Sequence, residues 1–234
     1  MQLFYNQHIN QDNSSFIFDK EESRHIVKVL RKKETDKIQI TNGKGFLFNS
    51  EIIFANEKKC EVKIISVDFF EPMHYALHLA VAPTKMNDRY EWFLEKATEI
   101  GVTEITPIIC DQSERTVFKA ERFEKIIQSA MKQSLQYYLP KLHEPIAFTK
   151  FIEQQHNGSL FIAHCEETDK KLLKSQIKPK ENITILIGPE GDFSVKEIKL
   201  ALSNNYTPVS LGNTRLRTET AAIVAAHSVA FANE

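Results

Sequence analysis

The apolar positions of the chain follow two rhythms, with the change near residue 72. Before it, short β-type stretches dominate. Phe16, Ile17 and Phe18 lead into an amphipathic helix expected over residues 21–31, where Ile26, Val27, Val29 and Leu30 form the apolar side. Residues 36–41 alternate polar and apolar side chains, as a half-buried strand does. Asn42 and Gly43 signal a turn. Residues 46–55 and 60–67 complete a meander. Several short strands with one helix predict a small barrel, and Glu71 with Pro72 reads as a linker.

After residue 72 the apolar runs become continuous. Residues 75–82 (YALHLAVA) fit a strand buried on both faces. Asn87 or Asp88 is expected to cap the next helix. Its apolar face is Tyr90, Phe93, Leu94, Ala97 and Ile100, and Gly101 is its stop. Further strands are expected at 103–109, 160–163, 183–187 and 207–211. A helix carries Phe123, Ile126, Ile127, Ala130 and Met131 on one side. Strand and helix alternate, which predicts an α/β domain with a mainly parallel sheet.

Two strand–loop–helix blocks hold the candidate chemistry: ITILIGPEGDFS at 183–194 and LGNTRLRTETAA at 211–222. In the first, Gly188 and Gly191 permit positive φ and let a ligand approach the backbone. Ser194 with Glu197 spells a capping box, and Phe193 with Ile198 fits a hydrophobic staple, so a helix is expected to start at Ser194. Its free N–H groups favour anionic or polar ligand groups. A tight strand–helix connection without a ligand explains the block equally well. In the second block Arg215 and Arg217 precede a helix that is apolar nearly all round and is expected to be buried, with Thr218 or Thr220 as its cap. The arginines fit either a structural ion-pair set or a grip on an anionic substrate.

Composition narrows this only slightly. The 234 residues carry 30 Lys+Arg against 31 Asp+Glu, so global charge does not announce a nucleic-acid partner. The first 70 residues hold 11 basic and 10 acidic groups, and the remainder 19 and 21. Any RNA surface must therefore be local. The cluster from Arg24 to Lys33 is one candidate, and a solvated helix face is the other reading. No apolar run reaches the roughly 20 residues that span a bilayer, and the first residues lack a signal-peptide pattern. Cys60, Cys110 and Cys165 are scattered and suggest a reducing cytoplasm rather than a disulfide framework or a metal site. His74 and His78 share strand spacing without an evident third ligand, so they read as packing residues and no metal is expected. Neither GxGxxG nor GxxxxGK[ST] occurs.

The GPEG loop at 188–191, Leu211 and Gly212, the LRTETA run at 216–221, residues 96–102 (KATEIGV), and the set His25, Arg31, Asp36 and Gly43 occur in an order that resembles the SPOUT RNA methyltransferases. The resemblance is greatest to the subfamily that methylates N3 of a uridine in the decoding region of 16S rRNA, and it spans nearly the whole chain. It implies an α/β, trefoil-knotted methyltransferase domain over 71–234 and a PUA-like RNA-binding β-barrel over 1–70. It implies S-adenosylmethionine as cofactor, the small ribosomal subunit as partner, and a homodimer formed partly through the C-terminal helix. Cofactor contacts would fall on Leu186, Ile187, Gly188, Pro189, Glu190 and Gly191, and on Leu211, Gly212, Leu216, Arg217 and Thr218. Glu219 and Glu190 are candidate general bases, with Glu219 equally readable as a helix-start carboxylate. Arg217 is a candidate for stabilising charge on the uracil. Arg24, Arg31, Lys85, Arg89 and Arg115 are candidate RNA contacts. Two departures stand out. Asp192 replaces a usual glycine and either caps the helix or crowds the cofactor; Gln136 replaces a frequent arginine. Other readings are a SPOUT enzyme acting on another base or a ribose 2′-OH, and a non-catalytic RNA-binding or assembly protein.

Overall fold

The computed structural model describes residues 2–116, 118–167 and 169–234. The chain forms two units, Met1–Pro72 with Met131–Leu139, and Met73–Ala130 with Pro140–Glu234.

The first unit contains β1 (Leu3–Tyr5), β2 (Ser15–Ile17), α1 (Lys20–Arg24), β3 (Lys37–Thr41), β4 (Phe46–Phe54) and β5 (Glu61–Phe69). Its sheet runs β1-β3-β4-β5-β2. The pairs are antiparallel except β1 with β3. Phe4, Phe18, Ile26, Ile40, Phe48 and Val62 fill its core. The expected helix over 21–31 is broken. Asp19 caps α1 by accepting from Glu22 N at 2.8 Å, and α1 gives way to a π-helical turn at His25–Val29. The wider turn closes with Leu30 N donating to His25 O at 3.0 Å, and Arg31 ends it at φ 55. Ile26 is sealed while Val29 is 65% exposed, so only part of the expected apolar side faces the core. Residues Met131–Leu139 are held to this unit by backbone bonds from Gly45 N to Tyr137 O and from Leu139 N to Gly43 O. Gly45, at φ 88, lies so near the Tyr138 hydroxyl that no side chain would fit there.

The second unit contains β6 (Leu77–Val81), α2 (Asn87–Ile100), β7 (Glu104–Ile109), α3 (Ala120–Gln133, whose end enters the first unit), β8 (Lys141–Leu142), β9 (Ile146–Ala147), α4 (Phe148–Ile152), β10 (Ser159–Ala163), β11 (Lys171–Leu172), β12 (Ile183–Ile187), α5 (Val195–Ser203), β13 (Thr207–Ser210) and α6 (Thr218–Asn233). The sheet order is β11-β13-β10-β12-β6-β7-β8, with β9 also on β7. Every pairing in it is parallel. All five residues of β12 are buried, as befits a central strand covered on both faces.

Helix ends follow the sequence only in part. Gly101 stops α2 in the left-handed region at φ 109. The N-cap of α2 is Met86, without a side-chain bond, and Asn87 is already helical. Helix α6 is not buried all round. Thr218, Glu219, Ala222, Ala225, Ala226 and Val229 form one sealed stripe, while Phe231 is 69% exposed. That stripe packs on α2, β6 and β12, and small alanines let the backbones approach. No helix among the described residues is long and apolar enough to cross a membrane.

Candidate functional site

Because β6, β7, β10, β12 and β13 run parallel, the five loops that follow them emerge at one edge of the sheet, where α/β folds place ligands. The loop after β12 is the hub that ties the other four. Glu190 Oε1 accepts from Lys85 N at 2.9 Å, fixing the loop after β6. Ser194 Oγ donates to Asp111 Oδ2 at 2.7 Å, and Glu197 Oε1 accepts from Asp111 N at 2.9 Å, fixing the loop after β7. Asp192 Oδ2 accepts from Cys165 N at 2.7 Å, fixing the loop after β10. Thr218 Oγ1 donates to Gly188 O at 3.0 Å, in a buried setting, and fixes the start of α6.

The local chemistry of the hub differs from the expected one at two points. The capping box of Ser194 and Glu197 forms as read, and Phe193 and Ile198 are buried in one core cluster. Gly188 and Gly191, however, do not adopt positive φ; the left-handed residue of the loop is Asp192, at φ 69. The glycines are required by close approach. A Cβ on Gly188 would meet the Phe193 ring at 3.1 Å, and one on Gly191 would strike Gln112 Oε1. Asp192 neither caps α5 nor stands free, because its carboxylate is spent on Cys165. Thr218 likewise is not the cap of α6. Arg217 holds that position without a side-chain bond, and Thr218 is the first helical residue.

A cavity of about 640 Å³ opens at this edge, within the size range of small-molecule sites. Gly191, Leu211, Gly212 and Leu216 line it, together with Asp192, Ser210, Asn213, Thr214, Arg215 and the segment from Ala163 to Glu167 with Lys170. Leu186, Ile187, Gly188 and Pro189 are buried and off its wall, as is Thr218. The segment after β10 is the part that the sequence reading missed. Its signal was available, since residues just beyond the carboxyl end of a parallel strand face the ligand edge. Lys170 Nζ donates to His164 O at 2.7 Å and to Glu166 O at 2.6 Å, and so folds this segment onto itself. His164 is 7% exposed and neither ring nitrogen has a partner among the described residues. Burial, reinforced by the Lys170 cation, lowers its pKa from the ordinary value. The neutral ring offers one donor and one acceptor at the cavity wall.

Beside Glu190 lies a charged cluster. Arg89 Nε is 3.9 Å from Glu219 Oε1, and Glu219 is 6% exposed with Oε2 unpartnered among the described residues. Lys85 Nζ pairs with Glu114 at 2.8 Å, and Arg115 donates to Lys85 O at 2.9 Å. Three candidate RNA contacts, Lys85, Arg89 and Arg115, thus sit on the two loops beside Glu190 and on the α2 start. Arg24 and Arg31 lie exposed on the first unit. Arg215 and Arg217 are exposed, and no carboxylate among the described residues pairs with either, so the structural ion-pair alternative is not realised. Far from these loops, at the start of β6, His78 does gain partners that its spacing did not reveal, Glu104 and His143. Burial lowers the His78 pKa to about 4, against the opposing pull of Glu104.

The fold, the five-loop edge and the cavity define a class. The RNA methyltransferase domain family matches residues 71–230 and the RNA methyltransferase PUA domain matches 18–65, and the chain belongs to this family of RNA methyltransferases. Among its relatives, the ribosomal RNA small subunit methyltransferase E of Buchnera aphidicola subsp. Acyrthosiphon pisum is 33% identical over 225 residues, covering 92% of this chain and 87% of that one. A probable rRNA-methyltransferase from Porphyromonas gingivalis has a TM-score of 0.92 at 37% identity, covering 100% and 98% of the two chains. A putative methyltransferase from Legionella pneumophila, solved with bound SAM, has a TM-score of 0.88 at 28% identity, covering 99% and 97%.

Proposed function

We propose that the protein transfers the methyl group of S-adenosylmethionine to N3 of a uridine in the decoding region of 16S rRNA. The observation that carries this reading is the cavity at the carboxyl edge, on the same set of loops as the charged cluster beside Glu190, in a chain of this family. The residues that would hold the cofactor are those lining the cavity: Gly191 and Asp192, residues 210–216, and residues 163–167. The solved Legionella relative holds the same cofactor.

Uridine N3 carries a proton that must leave as the N–C bond forms and the C–S bond breaks. Glu219 suits the base role better than Glu190, because Glu190 already holds Lys85 N while Glu219 Oε2 has no partner among the described residues. Glu219 takes the N3 proton, a role that contributes roughly 10²–10⁴-fold to such reactions. Arg217, without an ion pair among the described residues, faces charge developing on the uracil oxygens. Lys85, Arg89 and Arg115 hold the RNA backbone near the target base, which is flipped from its stack. Arg24 and Arg31 of the PUA-like first domain supply a second RNA contact. The active form is a cytoplasmic homodimer joined partly through the exposed side of α6, and the C-terminal segments form the knot of the SPOUT fold.

The test is methyl transfer from labelled S-adenosylmethionine to small ribosomal subunits from cells lacking this gene, with the nucleoside identified by mass spectrometry. The expected product is 3-methyluridine. A different methylated nucleoside refutes the choice of target atom, and absence of transfer together with absence of cofactor binding refutes the enzymatic reading.

A further inference from the structure

The amino edge of the second unit's sheet holds a separate cluster, at the opposite ends of the strands from the cofactor loops. His78 is the second residue of β6, Glu104 the first of β7, and His143 follows β8. His78 and Glu104 are register partners on neighbouring strands. One donor atom from each of the three lies within 4.8 Å of the other two. His143 Nε2 is 2.6 Å from Glu104 Oε2, and the His78 and His143 rings are 5.4 Å apart. A fourth imidazole, His156, is 5.9 Å from the His78 ring. Its Nε2 donates to Phe151 O at 2.9 Å, since a carbonyl only accepts, so Nδ1 is the nitrogen it could offer to an ion. His78 Nε2 is 2.7 Å from Thr106 Oγ1, a buried hydroxyl that fixes the ring.

We propose that His78, Glu104 and His143 form a zinc site, with the fourth position open to water or to His156. Two imidazoles and a carboxylate are an established zinc donor set, whereas calcium and magnesium prefer oxygen throughout. Tetrahedral zinc with bonds of about 2.0–2.2 Å holds its ligand atoms roughly 3.3 Å apart. His143 Nε2 and Glu104 Oε2 are 2.6 Å apart and one donor atom of each residue lies within 4.8 Å of the others, so side-chain rotation suffices to reach that spacing. The ion displaces the proton shared by His143 and Glu104, and the carboxylate offsets half of its charge. Thr106 plays the orienting role that a polar partner of a ligating histidine usually plays. The site joins β6, β7 and the segment after β8. It is a clasp on the sheet and takes no part in methyl transfer.

The experiment titrates zinc into metal-stripped protein against a chromophoric chelator, with cobalt(II) as a spectroscopic substitute. The expected result is one equivalent per chain, a rise in Tm on loading, and the intense visible bands of tetrahedral cobalt. Glu104→Gln and His143→Gln abolish binding, while Thr106→Val weakens it by about 10–100-fold. Cys165→Ser, which removes the exposed thiol, leaves it intact. Circular dichroism verifies that each variant is folded, and Thr106→Val carries the test if a ligand variant is not. No saturable binding overturns the proposal. So does binding that survives both ligand variants, or that disappears with Cys165.

Discussion

Asp192 gives the sharpest test of how the ligand loops are held. Its backbone sits at φ 69, a conformation that costs an L-residue roughly 1–2 kcal/mol and costs Asp less than most. In exchange its carboxylate accepts from Cys165 N at 2.7 Å. A hydrogen bond to a charged group contributes about 1.5–3 kcal/mol, and the lower end applies here because Cys165 is exposed. Three substitutions separate the two effects. Asp192→Asn keeps an acceptor and tolerates the backbone, and costs about 0.5 kcal/mol. Asp192→Gly loses the bond but relieves the backbone, and costs about 1 kcal/mol. Asp192→Ala loses the bond and takes the full conformational penalty, about 2–3 kcal/mol. Urea unfolding at unchanged m ranks them. An alanine variant as stable as the glycine variant refutes the conformational half of the reasoning, and a glycine variant as stable as the parent refutes the hydrogen-bond half. The same ranking should hold for cofactor affinity, because the bond anchors the segment that carries His164.

Other outcomes follow from the same geometry. His164→Phe removes a buried ring whose nitrogens are unpartnered, so it stabilises the free protein by about 1–3 kcal/mol while weakening cofactor binding; calorimetry and a binding titration read both, and unchanged affinity removes His164 from the site. Because the folded His164 pKa is lowered, the unfolded chain takes up its proton first, and this contribution to stability is full above about pH 6.5 and declines below it; the phenylalanine variant shows a shallower acid limb, and an equal slope contradicts the assignment. Thr218→Val leaves the Gly188 carbonyl buried without its partner, costs about 1–3 kcal/mol and raises KM for the cofactor; a variant with parental stability shows that the bond is not made. Gly158→Ala places a Cβ against the Asn182 backbone at φ 90 and destabilises by more than about 2 kcal/mol, whereas Gly191→Ala, with no positive φ, meets the Gln112 side chain from Oε1 up to its Cβ and costs less, about 1–2 kcal/mol; equal melting temperatures count against this contrast. Arg217→Ala loses turnover while keeping cofactor affinity, and full activity in that variant excludes its proposed role.

What the sequence disclosed was mostly local. The capping box at Ser194, the glycine stop at Gly101 and the continuous apolar run of β12 each depend on neighbours within a few residues, and each formed as read. Features set by distant segments were not legible. Gly188 and Gly191 looked like conformational glycines, but what excludes a side chain there is Phe193 and Gln112, the latter from another loop. The expected partner of Asp192 was the helix after it, and the actual one is a backbone amide 27 residues earlier. The pattern of α6 could not say which alanines are sealed, because an almost uniformly apolar helix has no preferred face. His78 shows no metal-like spacing in sequence because its neighbours arrive from β7 and from the segment after β8.

The place of β12 bears on how the chain comes to be made. It lies between β10 and β6, and its pairing with β6 joins residues 77–81 to residues 183–187. During synthesis β6 and β7 leave the ribosome long before the strand that completes their sheet. Until then β6 and β10 each present an open row of backbone donors and acceptors, the template that unwanted strands pair with. Contacts so distant along the chain also form slowly, since the intervening loop must be closed first. The two halves of the sheet are therefore joined only when β12 slots into the gap, and the cavity is completed only after it, by the loop that follows β13 and the start of α6. A nascent chain halted before residue 183 would hold most of the sheet's residues, the loops after β6, β7 and β10 without the hub that ties them, and two exposed seams.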